Sequence, residues 1–539
     1  MADLPQAFEI EVKTRHGVLM RADVYLPPGQ QGPFPALFAG SAYQKSQQAV
    51  LPVVWTFAGR ETGPIDFYLD QGYAYVLADV PGTGRSEGAW DPMAKSEGEA
   101  LCDVIEYVAQ QPWCTGKIGT IGQSYFCWTC WNIARTCPPH LTTVVAFDGA
   151  TDHYRDWMYH GGLPSGFVAG WGFGVALNHQ DNGLDIFGGD RYRFPVNTYS
   201  HQFDDEWHRR RSSYWELDRV TVPVLSVGLW GKANLHLRGN ITGWEQVRGP
   251  KKLLLHECDS YPAAQALMAS PEFHEREMLP WYEHHLKGAQ NGVMDLPPVR
   301  YFVEREGRYR QAISWPPEDI TTRTFYLSNE KSGVMKSLND GSLSAEAPSG
   351  ENQSFSWSYP DPGWIAGTTT FDDHGIPDHY ARICTFTSAP FEQEQEFSGS
   401  GVLHLFASTD QRDIDAIAHV SVMYQTPDGR WRDRRVTQGW LRASHRHEDP
   451  ERTQPLRPFY THDRIDAVEP GQVYELKIEL LPMSFLVRPG ERLRVEISNN
   501  DSRMTEGLMW HFYGYKVGTD AYHADRNYPS RMILPVRPR

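Results

Sequence analysis

The sequence has no basic run longer than Arg209-Arg210-Arg211, no long uninterrupted apolar stretch and few cysteines. Lys+Arg number 51 against 67 for Asp+Glu, a formal net charge of −16. A chain of that sign without a basic cluster repels phosphate backbones, which excludes nucleic acid as a partner class. The apolar stretches fall far short of the ~20 residues that a membrane-crossing helix needs, so no membrane partner is expected. Met1 to Gln6 do not lead from a basic segment into an apolar run with a small-residue cleavage site, which points away from export and toward the cytoplasm. The seven cysteines (102, 114, 127, 130, 137, 258 and 384) are odd in number and suit reduced thiols rather than a disulfide framework. Cys127 and Cys130 form a lone C-x-x-C without a second pair, in a segment that reads as a buried helix, so neither metal nor cofactor is expected there. Repeats of fixed period and low-complexity linkers are also missing.

What is present is enough apolar material for several cores: 539 residues, 40% hydrophobic and 13% aromatic, with 18 Trp. Phe8 to Val12 and Val18 to Tyr25 alternate around His16-Gly17 as a hairpin does. Pro35 to Gly40, Tyr73 to Asp79 and Lys117 to Gly122 follow as apolar strands. Between the last two, Glu97 to Gln110 carries apolar residues at 101, 104, 105 and 108, which is helical spacing. A helix from Ser124 to about Arg135 and a strand from Leu141 to Phe147 continue the alternation that marks a parallel sheet with crossovers. From about Gly149 to Leu217 the strand period stops, and Trp157, Tyr159, His160, Trp171 and Phe173 mark an inserted cap. Core strands resume at Val222 to Gly228 and Lys252 to Leu255, followed by a helix from Pro271 to Leu286. Beyond about Pro297 come short alternating strands, Val402 to Ala407, Ala418 to Tyr424, Val473 to Leu480, Arg492 to Ile497 and Met532 to Val536, with Asp428-Gly and Pro489-Gly as turns. Many short strands without helices imply a β-sandwich. The expected division is an α/β core over residues 1–148 and 218–296, a cap over 149–217, and an all-β domain over 297–539.

The sharpest local feature is Ile118-Gly-Thr-Ile-Gly-Gln-Ser124-Tyr-Phe: an apolar strand, Gly-Gln-Ser, then a helical run. A serine between strand and helix is held on a tight turn with its hydroxyl exposed, and the helix N-terminus is directed toward it. Such a serine is a nucleophile, although Gly-x-Ser also occurs where the serine only caps a helix. The elbow pattern ordinarily has a small residue at the second position after the serine; here that position is Phe126. Gly82-Thr-Gly84 does not complete a dinucleotide-binding pattern, since position 87 is Glu.

Asp79-Val-Pro-Gly-Thr-Gly-Arg-Ser-Glu-Gly88 and Gln111-Pro-Trp-Cys-Thr-Gly-Lys-Ile-Gly-Thr-Ile-Gly-Gln-Ser-Tyr125 resemble the cocaine esterase and X-prolyl dipeptidyl aminopeptidase family of serine hydrolases. His285-Leu-Lys-Gly288 is similar to a helix end of that family. Thr385-Phe-Thr-Ser-Ala-Pro390, Gly439-Trp-Leu-Arg442 and Tyr528-Pro-Ser-Arg531 are similar to its carboxy-terminal domain. The acidic balance points to a small-molecule substrate that is neutral or cationic, and the resemblance implies an α/β-hydrolase core, a helical cap and a jelly-roll domain. It further implies Ser124 as nucleophile, the Tyr125 backbone N–H as one oxyanion donor and the Tyr43 hydroxyl, in Ala39-Gly-Ser-Ala-Tyr43, as the other.

The pattern breaks at the two residues that should activate Ser124. The family's acid position falls on Gly231, in Gly228-Leu-Trp-Gly231, and its histidine position falls on Ser260, in Leu253-Leu-Leu-His-Glu-Cys-Asp-Ser260. Replacements stand nearby in the sequence: His256 at a strand end, His236 after the strand that should carry the acid, Asp148 after the strand following the nucleophile, and Asp259 in the histidine loop. The preferred constellation is Ser124, His256 and Asp148. A serine hydrolase of small, hydrophobic esters or amides is the first expectation. A non-hydrolytic enzyme that uses the oxyanion hole for cyclisation, elimination or carbon–carbon cleavage is the second, and a catalytically silent binding protein the third. The sequence leaves a homo-oligomer open.

Overall fold

Ala36-Leu-Phe-Ala39, Ala74-Tyr-Val-Leu-Ala78 and Val144-Val-Ala-Phe147 are apolar at consecutive rather than alternate positions, and such strands are stable only with both faces covered. The computed structural model describes residues 4–48, 61–178, 190–334, 339–359, 383–507, 509–512 and 516–538. It divides into two units: Met1–Trp157, Val168–His201 and Glu206–Tyr301 in one, Met158–Phe167, Gln202–Asp205 and Phe302–Arg539 in the other. Residues 149–217, read from the sequence as a cap, are shared between them.

In the first unit the sheet is built from β1 (Phe8–Lys13), β2 (Leu19–Tyr25), β3 (Phe34–Ser41), β4 (Ala74–Asp79), β5 (Cys114–Thr120), β6 (Leu141–Phe147), β7 (Val224–Leu229), β8 (Lys251–His256) and β9 (Val299–Val303). Their order is β1-β2-β4-β3-β5-β6-β7-β8-β9. Strands β3 to β9 are mutually parallel, and β1 and β2 form an antiparallel edge. The longer helices are α1 (Lys95–Ala109), α2 (Tyr125–Thr136), α3 (Phe167–Asn178), α4 (Asp190–Ser200), α5 (Arg238–Gln246), α6 (Tyr261–Ala269) and α7 (Leu279–Lys287). Leu101 of α1 packs on Gly40 of β3, whereas Tyr282 and Leu286 of α7 pack on Gly119 of β5. Gly119 pairs with Leu37, so Gly40 and Gly119 point to opposite faces and the helices cover both sides of the sheet. This is the α/β-hydrolase architecture expected from the sequence.

The single helix expected over Pro271–Leu286 is instead a short turn Pro271–Phe273, a π-helical turn His274–Met278 and α7. Pro280 has no N–H for the carbonyl four residues back, so the α-helical ladder cannot run through it. No described helix is long and apolar enough to cross a membrane.

The second unit is all-β. Its strands are β10 (Thr321–Ser328), β11 (Asn339–Ser344), β12 (Ser354–Tyr359), β13 (Cys384–Ser388), β14 (Gln395–Thr409), β15 (Asp415–Gln425), β16 (Trp431–Arg442), β17 (Tyr474–Val487), β18 (Arg492–Ser498), β19 (Gly518–His523) and β20 (Arg531–Arg537). They run in the order β12-β19-β14-β20-β10-β11-β13-β18-β15-β16, with β17 also pairing β14. Phe397 and Phe485 stack at 5.2 Å within its core. Several strands are longer than their apolar stretches, because polar ends such as Gln395 and Glu396 still pair with Val487 and Leu486.

Candidate active site

Strand β5 ends at Thr120, and the chain turns through Gly122-Gln123-Ser124 into α2. Ser124 has φ 60° and ψ −116°, a conformation that a side-chain-bearing residue adopts only when its surroundings impose it. Two hydrogen bonds do so: Ser124 N–H donates to the Asp148 carbonyl at 2.8 Å, and the Ser124 carbonyl accepts Trp128 N–H at 2.9 Å. A Cβ at position 122 would lie 2.2 Å from Phe126 Cβ. The bare Gly122 therefore supplies the space that the elbow ordinarily takes from a small residue at position 126. Cys130 of the C-x-x-C pair is buried in α2, and burial pushes its thiol up to about 12, so it stays protonated.

Tyr43 follows β3 and is buried. Trp171 Nε1–H donates to the Tyr43 hydroxyl at 2.7 Å, and that hydroxyl is also hydrogen-bonded to Ser124. Burial pushes the Tyr43 phenol far above its ordinary value, so it remains an O–H donor. Tyr125 is the first residue of α2, so its N–H has no carbonyl four residues back within the helix. Its side chain is fixed by donation to Glu97 Oε2 at 2.7 Å and by stacking on Trp171 at 5.7 Å. Trp171 also packs on Trp157 at 5.0 Å, and on Trp90 and Phe194 at 6.1 Å each, which makes an aromatic wall beside the two tyrosines. Of the other aromatic residues expected in the cap, Tyr159 and His160 belong to the second unit, where His160 stacks on Trp440 at 4.5 Å, and Phe173 is exposed.

Asp148 closes β6 with φ 54° and is fully buried. Its Oδ1 accepts His236 Nδ1–H at 2.9 Å, and its Oδ2 accepts Gln123 Nε2 at 2.9 Å and lies 3.1 Å from Lys232 Nζ. Despite burial, Lys232 and His236 hold the carboxyl far below the ordinary carboxylate value. His236 stands in a π-helical turn, Ala233–Leu237, that leads into α5. The start of α5 is pinned to the end of β6 by Asn240, whose Nδ2 donates to the Ala146 carbonyl at 3.1 Å and whose Oδ1 accepts Gly149 N–H at 3.0 Å. These bonds flank Asp148 and set it opposite the π turn. Burial lowers the His236 pKa from 6.5, Asp148 raises it and Lys232 lowers it again, so the imidazole is neutral at rest, with Nδ1–H on Asp148 and a basic Nε2.

The structure thus brings together Ser124, Tyr43, Tyr125 and Asp148. It does not bring His256 to Asp148, which corrects the preferred constellation. His256 Nδ1 faces the Glu257 carbonyl at 2.7 Å, and its ring packs edge-on against Phe273 at 5.0 Å. Asp259 accepts Ser260 Oγ–H at 3.1 Å on the exposed loop. The physical reason is visible at the two vacated family positions. A Cβ on Gly231 would sit 2.8 Å from both the Cys258 carbonyl oxygen and Ser260 N, so the loop after β8 has closed onto the end of β7. Ser260 has become the N-cap of α6, its Oγ accepting Ala263 N–H at 3.4 Å. Cys258 donates to the Ser260 carbonyl at 3.1 Å, and burial pushes its thiol up to about 11. Gly231→Ala is accordingly expected to lower stability by about 1–3 kcal/mol, read as a fall in the unfolding midpoint, because its neighbours there are backbone atoms. His236 carried one sequence signal, its place after the acid-bearing strand; Lys232 carried only its adjacency to Gly231.

A parallel sheet covered by helices, with a strained serine at a strand–helix elbow, defines an α/β hydrolase of the serine-nucleophile class. Residues 16–185 match the family model described as X-Pro dipeptidyl-peptidase (S15 family), and residues 291–510 match the X-Pro dipeptidyl-peptidase C-terminal non-catalytic domain. The cocaine esterase of Rhodococcus sp. is 24% identical over 98% of both chains. A CocE/NonD family hydrolase structure from Staphylococcus aureus superposes with a TM-score of 0.81 at 23% identity, covering 99% of this chain and 94% of that one. An aminopeptidase structure from a marine sediment archaeon of the Thaumarchaeota gives 0.76 at 16% identity, over 100% and 99%. The chain thus carries both the S15 domain and the C-terminal domain of the X-Pro dipeptidyl-peptidases, and is similar over its length to a cocaine esterase.

Proposed function

We propose that this protein hydrolyses an ester or amide of a small, uncharged, partly hydrophobic molecule by acyl transfer to Ser124, with a relocated base, His236, in place of the family histidine. The observation that carries this is Asp148. Its backbone carbonyl holds Ser124 N–H at 2.8 Å and its carboxylate holds His236 Nδ1 at 2.9 Å, which ties nucleophile and imidazole to one residue.

In the acylation step Ser124 Oγ attacks the substrate carbonyl carbon while its proton passes to His236 Nε2. Asp148, already ionised, orients the ring and stabilises the imidazolium. Tyr43 O–H and Tyr125 N–H stabilise the oxygen of the tetrahedral intermediate. Because Trp171 donates into the Tyr43 oxygen, the single Tyr43 proton is left for that oxyanion. The imidazolium then protonates the leaving group, and water repeats the sequence on the acyl-enzyme. The wall of Trp90, Trp157, Trp171 and Phe194 favours an apolar substrate portion.

A fluorophosphonate probe tests this directly. Intact-mass and peptide mapping are expected to place one adduct on Ser124, absent in Ser124→Ala. No adduct at millimolar probe would overturn the acyl-transfer reading in favour of a non-hydrolytic use of the oxyanion hole.

A further inference from the structure

Glu61 is only 5% exposed, and its Oε2 has no hydrogen-bond partner among the described residues. Leaving a buried carboxyl unpaired is costly, and native structures rarely do so without a use for the group. The segment that carries it is held firmly. The Glu61 carbonyl accepts Gln123 N–H at 2.8 Å, one residue before the nucleophile, and the next carbonyl, that of Thr62, accepts the Tyr75 hydroxyl. The charges that act on Glu61 are those of Lys232 and Asp148, and its own field reaches the Tyr43 hydroxyl, so it belongs to the neighbourhood of Ser124. Lys232 does not form an ion pair with it among the described residues, being committed to Asp148 at 3.1 Å.

Burial in this setting raises the Glu61 pKa well above the ordinary carboxyl value, which favours the protonated form. An uncharged carboxylic acid offers an O–H donor and a carbonyl acceptor side by side. Its complement is a group with an N–H donor and a carbonyl acceptor in the same arrangement, that is, a carboxamide or lactam. Lys232 and Asp148 are already paired with each other, so an ammonium or carboxylate group of the substrate would be buried here without a counterion of its own.

We propose that Glu61 is a specificity-determining residue of this site and that the substrate carries a neutral carboxamide-type group near the scissile bond. The proposal rests on the acyl-hydrolase reading above and adds the substrate class.

The test compares two pairs of esters with the full-length protein. Methyl succinamate is set against its hydrocarbon isostere methyl 4-methylpentanoate, and 3-amino-3-oxopropyl acetate against its isostere 3-methylbutyl acetate, so that the amide lies on either side of the ester. In the wild type, kcat/KM is expected to favour the amide member of at least one pair. Glu61→Met should lower that preference on the order of 10–100-fold, through KM rather than kcat, while Glu61→Gln, which keeps a donor and an acceptor, stays within a few-fold. An unchanged preference in Glu61→Met for both pairs, or a preference for the cationic methyl 4-aminobutanoate that Glu61→Met abolishes, would overturn the proposal. Calorimetric titration of the same esters into Ser124→Ala, with and without Glu61→Met, separates the two levels. Amide-dependent binding without wild-type turnover removes hydrolysis but keeps the Glu61 site; turnover without amide preference does the reverse.

Discussion

His236→Gln is expected to lower kcat by about 10³–10⁴-fold with little change in KM, whereas His256→Gln leaves both within a few-fold. Glutamine keeps a side-chain N–H for Asp148 but has no basic nitrogen, so binding and folding persist while the proton acceptor is lost. The two substitutions together decide between the relocated base and the histidine at the β8 end. If His256→Gln were the damaging change, the partner assignment from Asp148 would be wrong. The pH profile supplies a second readout. The base must be neutral to act, so activity falls as pH drops through the His236 pKa; burial places that pKa below 6.5 despite the opposing effect of Asp148. The acid limb of kcat/KM is therefore expected below pH 6.5, and it should move to higher pH in Lys232→Met, which removes a positive charge that disfavours the imidazolium.

Asp148→Asn is expected to cost both catalysis and stability. The amide cannot hold the imidazole in its working tautomer, and a fall of about 10³–10⁴-fold in kcat follows. It also leaves the Lys232 ammonium, 4% exposed, without its counterion. Breaking a buried pair on one side costs about 3–5 kcal/mol. The double variant Asp148→Asn/Lys232→Met should recover most of the unfolding midpoint and none of the activity; recovery of both would assign Asp148 a purely structural role. The linkage has a definite sign. The folded-state pKa of Asp148 lies far below 3.8, so its contribution is present at neutral pH and is lost as pH falls below that value. Asp148→Asn should therefore lose stability at pH 7 and converge on the wild type in strong acid.

Much of the fold was legible because it rests on contiguous patterns. The β6 strand was read at its observed bounds, Leu141–Phe147, and α1 shifted by no more than two residues, since fully apolar runs and helical spacing are properties of neighbouring positions. Pro280 is the local signal against one long helix over Pro271–Leu286, because it interrupts the hydrogen-bond ladder. The elbow was legible for the same reason: strand, turn and helix lie within some twenty residues, and the anomaly at Phe126 resolves once Gly122 is seen to face it.

The groups around Asp148 were not legible in that way. Glu61, Asp148 and the turn that carries both Lys232 and His236 come from three separate stretches of chain, and each alone is ordinary polar sequence beside a strand or helix. Position at the end of the strand before the family's histidine favours His256 over His236 in the sequence; the Asn240 bonds to Ala146 and Gly149, and the closure of the Cys258–Ser260 loop onto Gly231, set Asp148 against His236 instead. By itself the sequence determined a hydrolase scaffold, its family, and a serine on a strained turn, because those are carried by adjacent residues with fixed local geometry. Which imidazole the buried carboxylate takes, and that Glu61 Oε2 stands without a hydrogen-bond partner among the described residues, were decided only by tertiary packing. Both are matters of a few ångströms between segments that the chain order does not constrain.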